Sequence, residues 1–129
     1  MRFLVSAMLI IVGVIHLLPV TGVVGGARLV SLYGVPIDNQ NLEILLRHRA
    51  VLFGLLGAFL IYAAFKPSIQ LIALLAGSVS VVSFIVLAWL VGGYNAQLAT
   101  VFKADLIALV CLVIGMLAWW RATASEATL

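Results

Sequence analysis

The chain has 129 residues, of which 66% are hydrophobic and 9% charged, with seven basic and four acidic residues and a formal net charge of +3. Soluble domains carry roughly 25% charged residues, so so few charges cannot make a water-facing surface, and lipid must cover most of the exterior. The basic residues are scattered with no polybasic run, which excludes a nucleic-acid partner, and the single Cys111 excludes an intrachain disulfide.

A helix crossing the hydrocarbon core needs about 20 apolar residues, within a range of roughly 17 to 25. The first candidate runs from Phe3 to about Leu18 and is expected to stop near Pro19, with His16 as its only polar interruption. Its basic start, apolar run and small-residue end also fit a secretory signal. The reading adopted is a retained span.

Pro19 to Gln40 is the one long connection. Within it Ala27 to Tyr33 is expected to form a short interfacial helix, with Arg28 and Tyr33 suited to that depth. Gly34-Val35-Pro36 breaks it. Asp38 or Asn39 then offers an N-cap for the second span, and Glu43 suits the positive end of that helix.

The second span covers about Leu42 to Phe65 and ends at Lys66-Pro67, because proline cannot continue a helix and restricts the residue before it. The third covers about Ile69 to Val91, closed by Gly92-Gly93. The fourth covers about Gln97 to Trp120, with Lys103 and Asp105 in its first turns and Arg121 at its end. Each must be helical, since unpaired backbone groups in lipid cost several kcal/mol. The expected fold is therefore all-α, residues 1–129 forming one integral membrane domain of four antiparallel transmembrane helices. Lys and Arg counts on the two faces nearly balance. The long loop and the acidic partners on its face lean toward both termini being cytoplasmic.

An antiparallel path brings His16, Glu43, Arg47, His48, Arg49, Tyr94, Asn95, Lys103 and Asp105 toward one membrane face. Ionisable groups at that depth are costly and usually face the bundle interior or a water-filled cavity. Glu43 and Arg47 are spaced i, i+4 and can pair. Arg47, His48 and Arg49 point about 100° apart and cannot all serve one neighbour. Arg47 or Arg49 is expected to reach Asp105, with Lys103 turned outward. The bland alternative is snorkelling charges and ion pairs that fix the bundle's register.

Small residues recur below this cluster, at Ala50, Gly54 and Gly57 on the second span and at Ala104, Ala108, Cys111, Gly115 and Ala118 on the fourth. They are expected to let helices approach within the bundle, with a face between copies as the lesser reading. Trp89, Tyr94, Trp119 and Trp120 fit an interfacial aromatic belt. His16 and His48 could serve as axial haem ligands with Arg47 and Arg49 on the propionates, or join Glu43 at a metal. No Ser-His-Asp arrangement, HExxH, phosphate loop or CxxC is present, so an enzyme is poorly supported.

In the segment RHRAVLFGLLGAFLIYAAFKPSIQ, the IHLLP ending of span one and the VGGYNAQL loop, the chain resembles small four-helix bacterial inner-membrane proteins of DoxX-like architecture. The resemblance covers nearly the whole chain and implies the fold more than a chemistry. Some proteins of this appearance carry the label phosphopantetheine adenylyltransferase. Nucleotidyltransferases of that type use an HxGH motif on an α/β domain. Here His16 is followed by Leu-Leu-Pro and His48 by Arg-Ala-Val, so that activity is not carried over. The leading functional expectation is a structural or accessory subunit, packing against itself or a larger membrane complex. The alternative is a lipid, quinone or other small ligand held at the polar cluster.

Overall fold

The computed structural model describes residues 1–129 and is all-helical. Helix α1 spans Arg2–Leu17, α2 Gly26–Tyr33, α3 Gln40–Ala64, α4 Gln70–Val91 and α5 Ala96–Ala127. Four stretches are long and apolar enough to cross a membrane: Arg2–Val24, Gln40–Ala64, Pro67–Val91 and Ala96–Ala127.

The chain does not stop at Pro19. A 3-10 helix continues over Leu18–Val24 with Pro19 in its first turn. A proline there gives up an N–H that has no partner in a first turn, and its fixed φ suits the helix. Gly25, at φ 156°, then redirects the chain into α2, and Gly34, at φ 63°, ends α2 with its N–H donating to the Val30 carbonyl. Only glycine takes such backbone angles at no steric cost.

Of the two expected caps for α3, Asn39 is used. Its side-chain oxygen accepts from the Asn41 N–H at 2.8 Å. A short 3-10 turn at Pro67–Ile69 precedes α4, and Gly92 at φ 67° ends it. Helix α5 runs past Trp120 to Ala127. Its last residues, Arg121 to Ala127, include three alanines and Glu126, which favour helix without needing lipid. Glu126 pairs there with Arg2.

Only 23 of 129 residues are buried, and many of the exposed side chains are large and apolar. Phe3, Leu55, Val79, Leu90, Val91 and Trp120 are among them. An apolar exterior of this extent marks a lipid-facing surface. The interior is a seam of Leu9, Val12, Leu60, Leu74 and Leu112. Trp89 and Trp120 lie exposed as the aromatic belt requires, whereas Trp119 packs partly against the core.

Helix α1 is central and touches α3 and α5 most extensively, α5 packs on α4, and α3 touches α4 far less. The small residues make the close approaches. A Cβ on Gly13 would stand 2.6 Å from Ile61 Cγ1, and one on Gly57 would stand 2.8 Å from the Gly13 carbonyl oxygen. Ala50, Ala108 and Ala118 are buried as well. These faces are thus occupied inside the bundle.

At the end near the termini, Gln70 is buried. Its Nε2 donates to Ser6 Oγ at 3.4 Å and to the Ala64 carbonyl at 3.3 Å, which Ser6 also reaches at 2.6 Å. Serine and glutamine side chains bonding across helices in this way hold membrane bundles together at modest energy.

Candidate functional site

At the opposite end a cavity of about 390 Å³ lies between the end of α1, the last turn of α2, the third and fourth turns of α3 and the first three turns of α5. His16, Arg49 and Asp105 line it, together with Tyr33, Phe53 and Gln97. Apolar walls with a few converging polar groups are the usual form of a small-molecule site.

Arg49 is the residue that most needs explaining. Its guanidinium lies over the rings of Tyr33, Phe53 and Phe84, at 5.1, 4.7 and 5.7 Å from their centroids. Each such contact is worth about 0.5–2 kcal/mol, more as water is excluded. The two ion pairs of the structure are Arg2 with Glu126 and Arg47 with Glu43, so neither includes Arg49. The rings hold the cation by its face, leaving the five N–H donors of its edge without a protein acceptor.

Asp105 is only 7% exposed and shares the cavity with Arg49 without a direct ion pair. His16 is 2% exposed. Its Nδ1 lies 2.8 Å from the Val12 carbonyl, which can only accept, so Nδ1 carries the proton. Nε2 then accepts from Ser80 Oγ at 3.2 Å. The bond ties α1 to α4 and fixes the imidazole beside Phe53, 5.5 Å away between centroids.

The expected link from Arg47 to Asp105 does not form. Arg47 donates instead to the Val23 carbonyl at 3.0 Å and to Glu43 at 3.4 Å. Val23 sits in the last turn of the 3-10 helix, where carbonyls lack a helical partner. A Cβ on Gly26 would lie 3.7 Å from Glu43 Cδ, so the carboxylate stands at the positive start of α2. Glu43 and Arg47 thereby anchor the long connection to α3.

Asn95 has a similar task. Its Oδ1 caps α5 by accepting from the Leu98 N–H at 2.9 Å. Its Nδ2 donates to the carbonyls of Tyr33 at 2.7 Å and Gly34 at 3.2 Å, clasping the end of α2. Asn95→Ala should cost about 0.5–2 kcal/mol through the lost cap and should also loosen α2. Asn95→Asp should keep the cap and lose the clasp. Amide hydrogen exchange separates the two, with α2 faster in both variants and the start of α5 faster only in Asn95→Ala.

His48 and Lys103 are exposed and lie outside the cavity lining. Tyr94 stacks on Phe102, with centroids 5.7 Å apart. With Arg49 turned inward, the 100° step per residue swings Arg47 and His48 out. His16 and His48 are therefore not paired across one cavity, and both nitrogens of His16 are engaged. No group of three or more His, Cys, Asp or Glu side chains comes together.

The sequence reading missed Ser80, Phe53, Phe84 and Gln97. Ser80 had a visible signal, a hydroxyl in the apolar run of α4. Phe53 had one as well, its spacing four residues after Arg49 on one helix face, whereas Phe84 had none, since its role depends on where Arg49 lies.

Tyr33 is 4% exposed and its hydroxyl has no hydrogen-bond partner. Burial pushes this hydroxyl above the ordinary tyrosine range, and the Arg49 cation partly offsets that. The folded-state pKa is raised, so Tyr33's contribution to stability is complete below the unfolded value of about 10 and is lost as pH rises through the folded value. Tyr33→Phe should match the parent near neutral pH or exceed it by up to about 1–3 kcal/mol, because a buried hydroxyl without a partner costs its desolvation. Above about pH 10 the variant should retain stability that the parent loses, read as the unfolding midpoint in detergent against pH.

The fold and site define an all-helical protein whose four long apolar helices can cross a membrane, with an apolar cavity at one end into which a few polar groups converge. No protein-family model, curated protein or solved structure matches the chain.

Proposed function

We propose that the protein binds a small amphipathic molecule in this cavity, recognising a polar ring of quinone type by its edges. The observation that carries the reading is Arg49, a half-buried cation held by three aromatic rings with its donors unused, on the wall of a cavity that also contains Asp105. Arg49 donates to one ring oxygen, a carbonyl in the quinone or a hydroxyl in the quinol, and Asp105 accepts from the other hydroxyl of the quinol form. The two opposite charges balance, so a neutral ligand suits the site better than a strongly anionic headgroup. Retaining unpaired ionisable groups at membrane depth is costly unless something uses them.

The surrounding architecture belongs to the same proposal. It is a bundle of four antiparallel spans in a bacterial inner membrane, with both termini cytoplasmic and α2 lying at the opposite interface. The pairing of Arg2 with Glu126 and the bond from His16 to Ser80 support that path. The likeness to DoxX-like proteins agrees with it at the level of architecture.

Native mass spectrometry of protein extracted gently from its own membranes tests the assignment, with an absorption spectrum of the same sample. The expected result is a small-molecule mass increment that Arg49→Ala abolishes. A bare protein in every preparation would sink the reading. A protein-sized increment would move the assignment to an accessory subunit, and a haem-sized one with a Soret band would return attention to the histidines.

A further inference from the structure

A second, smaller cavity of about 170 Å³ lies between α3 and α4, lined by Leu52, Leu56 and Ser80. Arg49 and Phe53 line both cavities. The two spaces therefore adjoin across one Arg–Phe pair, the guanidinium 4.7 Å from the ring centroid. The smaller space is apolar apart from Ser80 and the shared Arg49. Leu52, at its rim, is 51% exposed on the face that meets lipid. It falls where α3 and α4 pack loosely compared with the contact of α3 on α1.

Building on the proposed ligand reading, we infer that the ligand carries an apolar chain, and that the α3–α4 crevice is where the chain leaves the cavity and the molecule enters from the bilayer. The polar ring sits among Arg49, Asp105 and Gln97, and the chain passes Arg49 and Phe53 to emerge beside Leu52 and Leu56.

The direction follows from solvent chemistry. An apolar chain is already comfortable in lipid, so the crevice adds little affinity by burying it. Its effect is to give the chain an exit that avoids the polar mouth of the site. The side chain of Phe53 has two χ torsions and the guanidinium a long flexible stem, so the pair can swing without moving backbone. Ser80 is held by His16 and keeps the α4 wall of the crevice in place.

The test uses two probes on the full chain in detergent, hydroquinone and the same ring bearing a decyl chain, both kept reduced with ascorbate and followed by native mass spectrometry during titration. Leu52→Trp fills the crevice rim at an exposed position that folding tolerates. Val51→Trp is the control, 100° around α3 and turned away from the crevice. Expected is that the parent and Val51→Trp bind both probes, while Leu52→Trp keeps the bare ring and loses the chain-bearing one by at least about tenfold, roughly 1.4 kcal/mol. Equal binding of the chain-bearing probe by Leu52→Trp and parent would overturn the crevice while leaving the ring site standing. Equal loss of both probes in Leu52→Trp would overturn it too, since the rim would then belong to the ring site. Failure of the parent to bind either probe would overturn both readings.

Discussion

Arg49→Ala is expected to lower ligand affinity by about 10- to 100-fold, the range that follows from hydrogen bonds to charged groups at roughly 1.5–3 kcal/mol each. Helix content should not change, because Arg49 makes no bond to backbone or carboxylate that holds two elements together. The variant loses three cation–ring contacts but also removes a partly buried charge, and these effects oppose each other.

Arg49→Lys sharpens the test. Lysine keeps the charge, but it lacks the planar fork that lies flat on rings while donating from its edge. If shape and donor geometry matter, lysine restores little. If only charge matters, it restores most of the binding. A cation retained solely for packing predicts no change in ligand content for either variant. Ligand occupancy by native mass spectrometry, beside circular dichroism of the same preparations, decides among these outcomes.

The second large effect concerns the bundle itself. Gly57→Leu should markedly destabilise the fold, beyond the upper end of the roughly 1–3 kcal/mol usual for overpacking. Even a bare Cβ at this position would stand 2.8 Å from the Gly13 carbonyl oxygen and 2.9 Å from Leu17 Cγ. The nearer of these atoms is backbone, which cannot rotate away, so α1 and α3 would have to separate. Gly57→Ala should fall within the 1–3 kcal/mol range, reduced by about 1 kcal/mol from better helix propensity. Ala58→Leu, one residue on and exposed, should stay within about 0.5 kcal/mol of the parent. Thermal unfolding in detergent measures all three. If Gly57→Leu melts with the parent, the close approach of α1 and α3 is not what holds the bundle.

The cavity and the bundle depend on each other through this contact. Separating α1 from α3 would carry His16 away from Arg49 and Phe53. Gly57→Ala is therefore expected to weaken ligand binding as well as stability, whereas Arg49→Ala is expected to lower binding with little net change in stability, its lost ring contacts and its removed charge opposing each other. That difference distinguishes damage to the scaffold from damage to the site.

Much of the architecture was legible before any coordinates. The apolar run lengths located four helices to within a few residues, because the thickness of hydrocarbon sets their length and lipid forbids other backbone structure. The turns were legible for a local reason. Gly34 and Gly92 end helices at backbone angles that few other residues accept. Two boundaries were misplaced. Pro19 begins a 3-10 turn instead of ending the span, and α5 outlasts its apolar stretch by nearly two turns. Both depend on what helix can do outside the hydrocarbon, about which an apolar run length says nothing.

The sequence by itself determined an all-helical chain with four segments long and apolar enough to cross a membrane and most of its ionisable groups at one end. Composition, run length and turn chemistry are local properties, and they add along the chain without reference to its path. Only the tertiary structure decided what each charge does. Glu43, Arg47 and Asn95 became fastenings for the long connection, and His48 and Lys103 turned outward. His16, Arg49 and Asp105 remained to line the cavity. Neighbouring residues on a helix differ by 100°, so a small rotation of α3 would have brought in Arg47 or His48. That rotation is set by the fit of Gly57 against Gly13 and by Tyr33 and Phe84 closing on Arg49. Those contacts join residues far apart in the chain, and no local pattern encodes them.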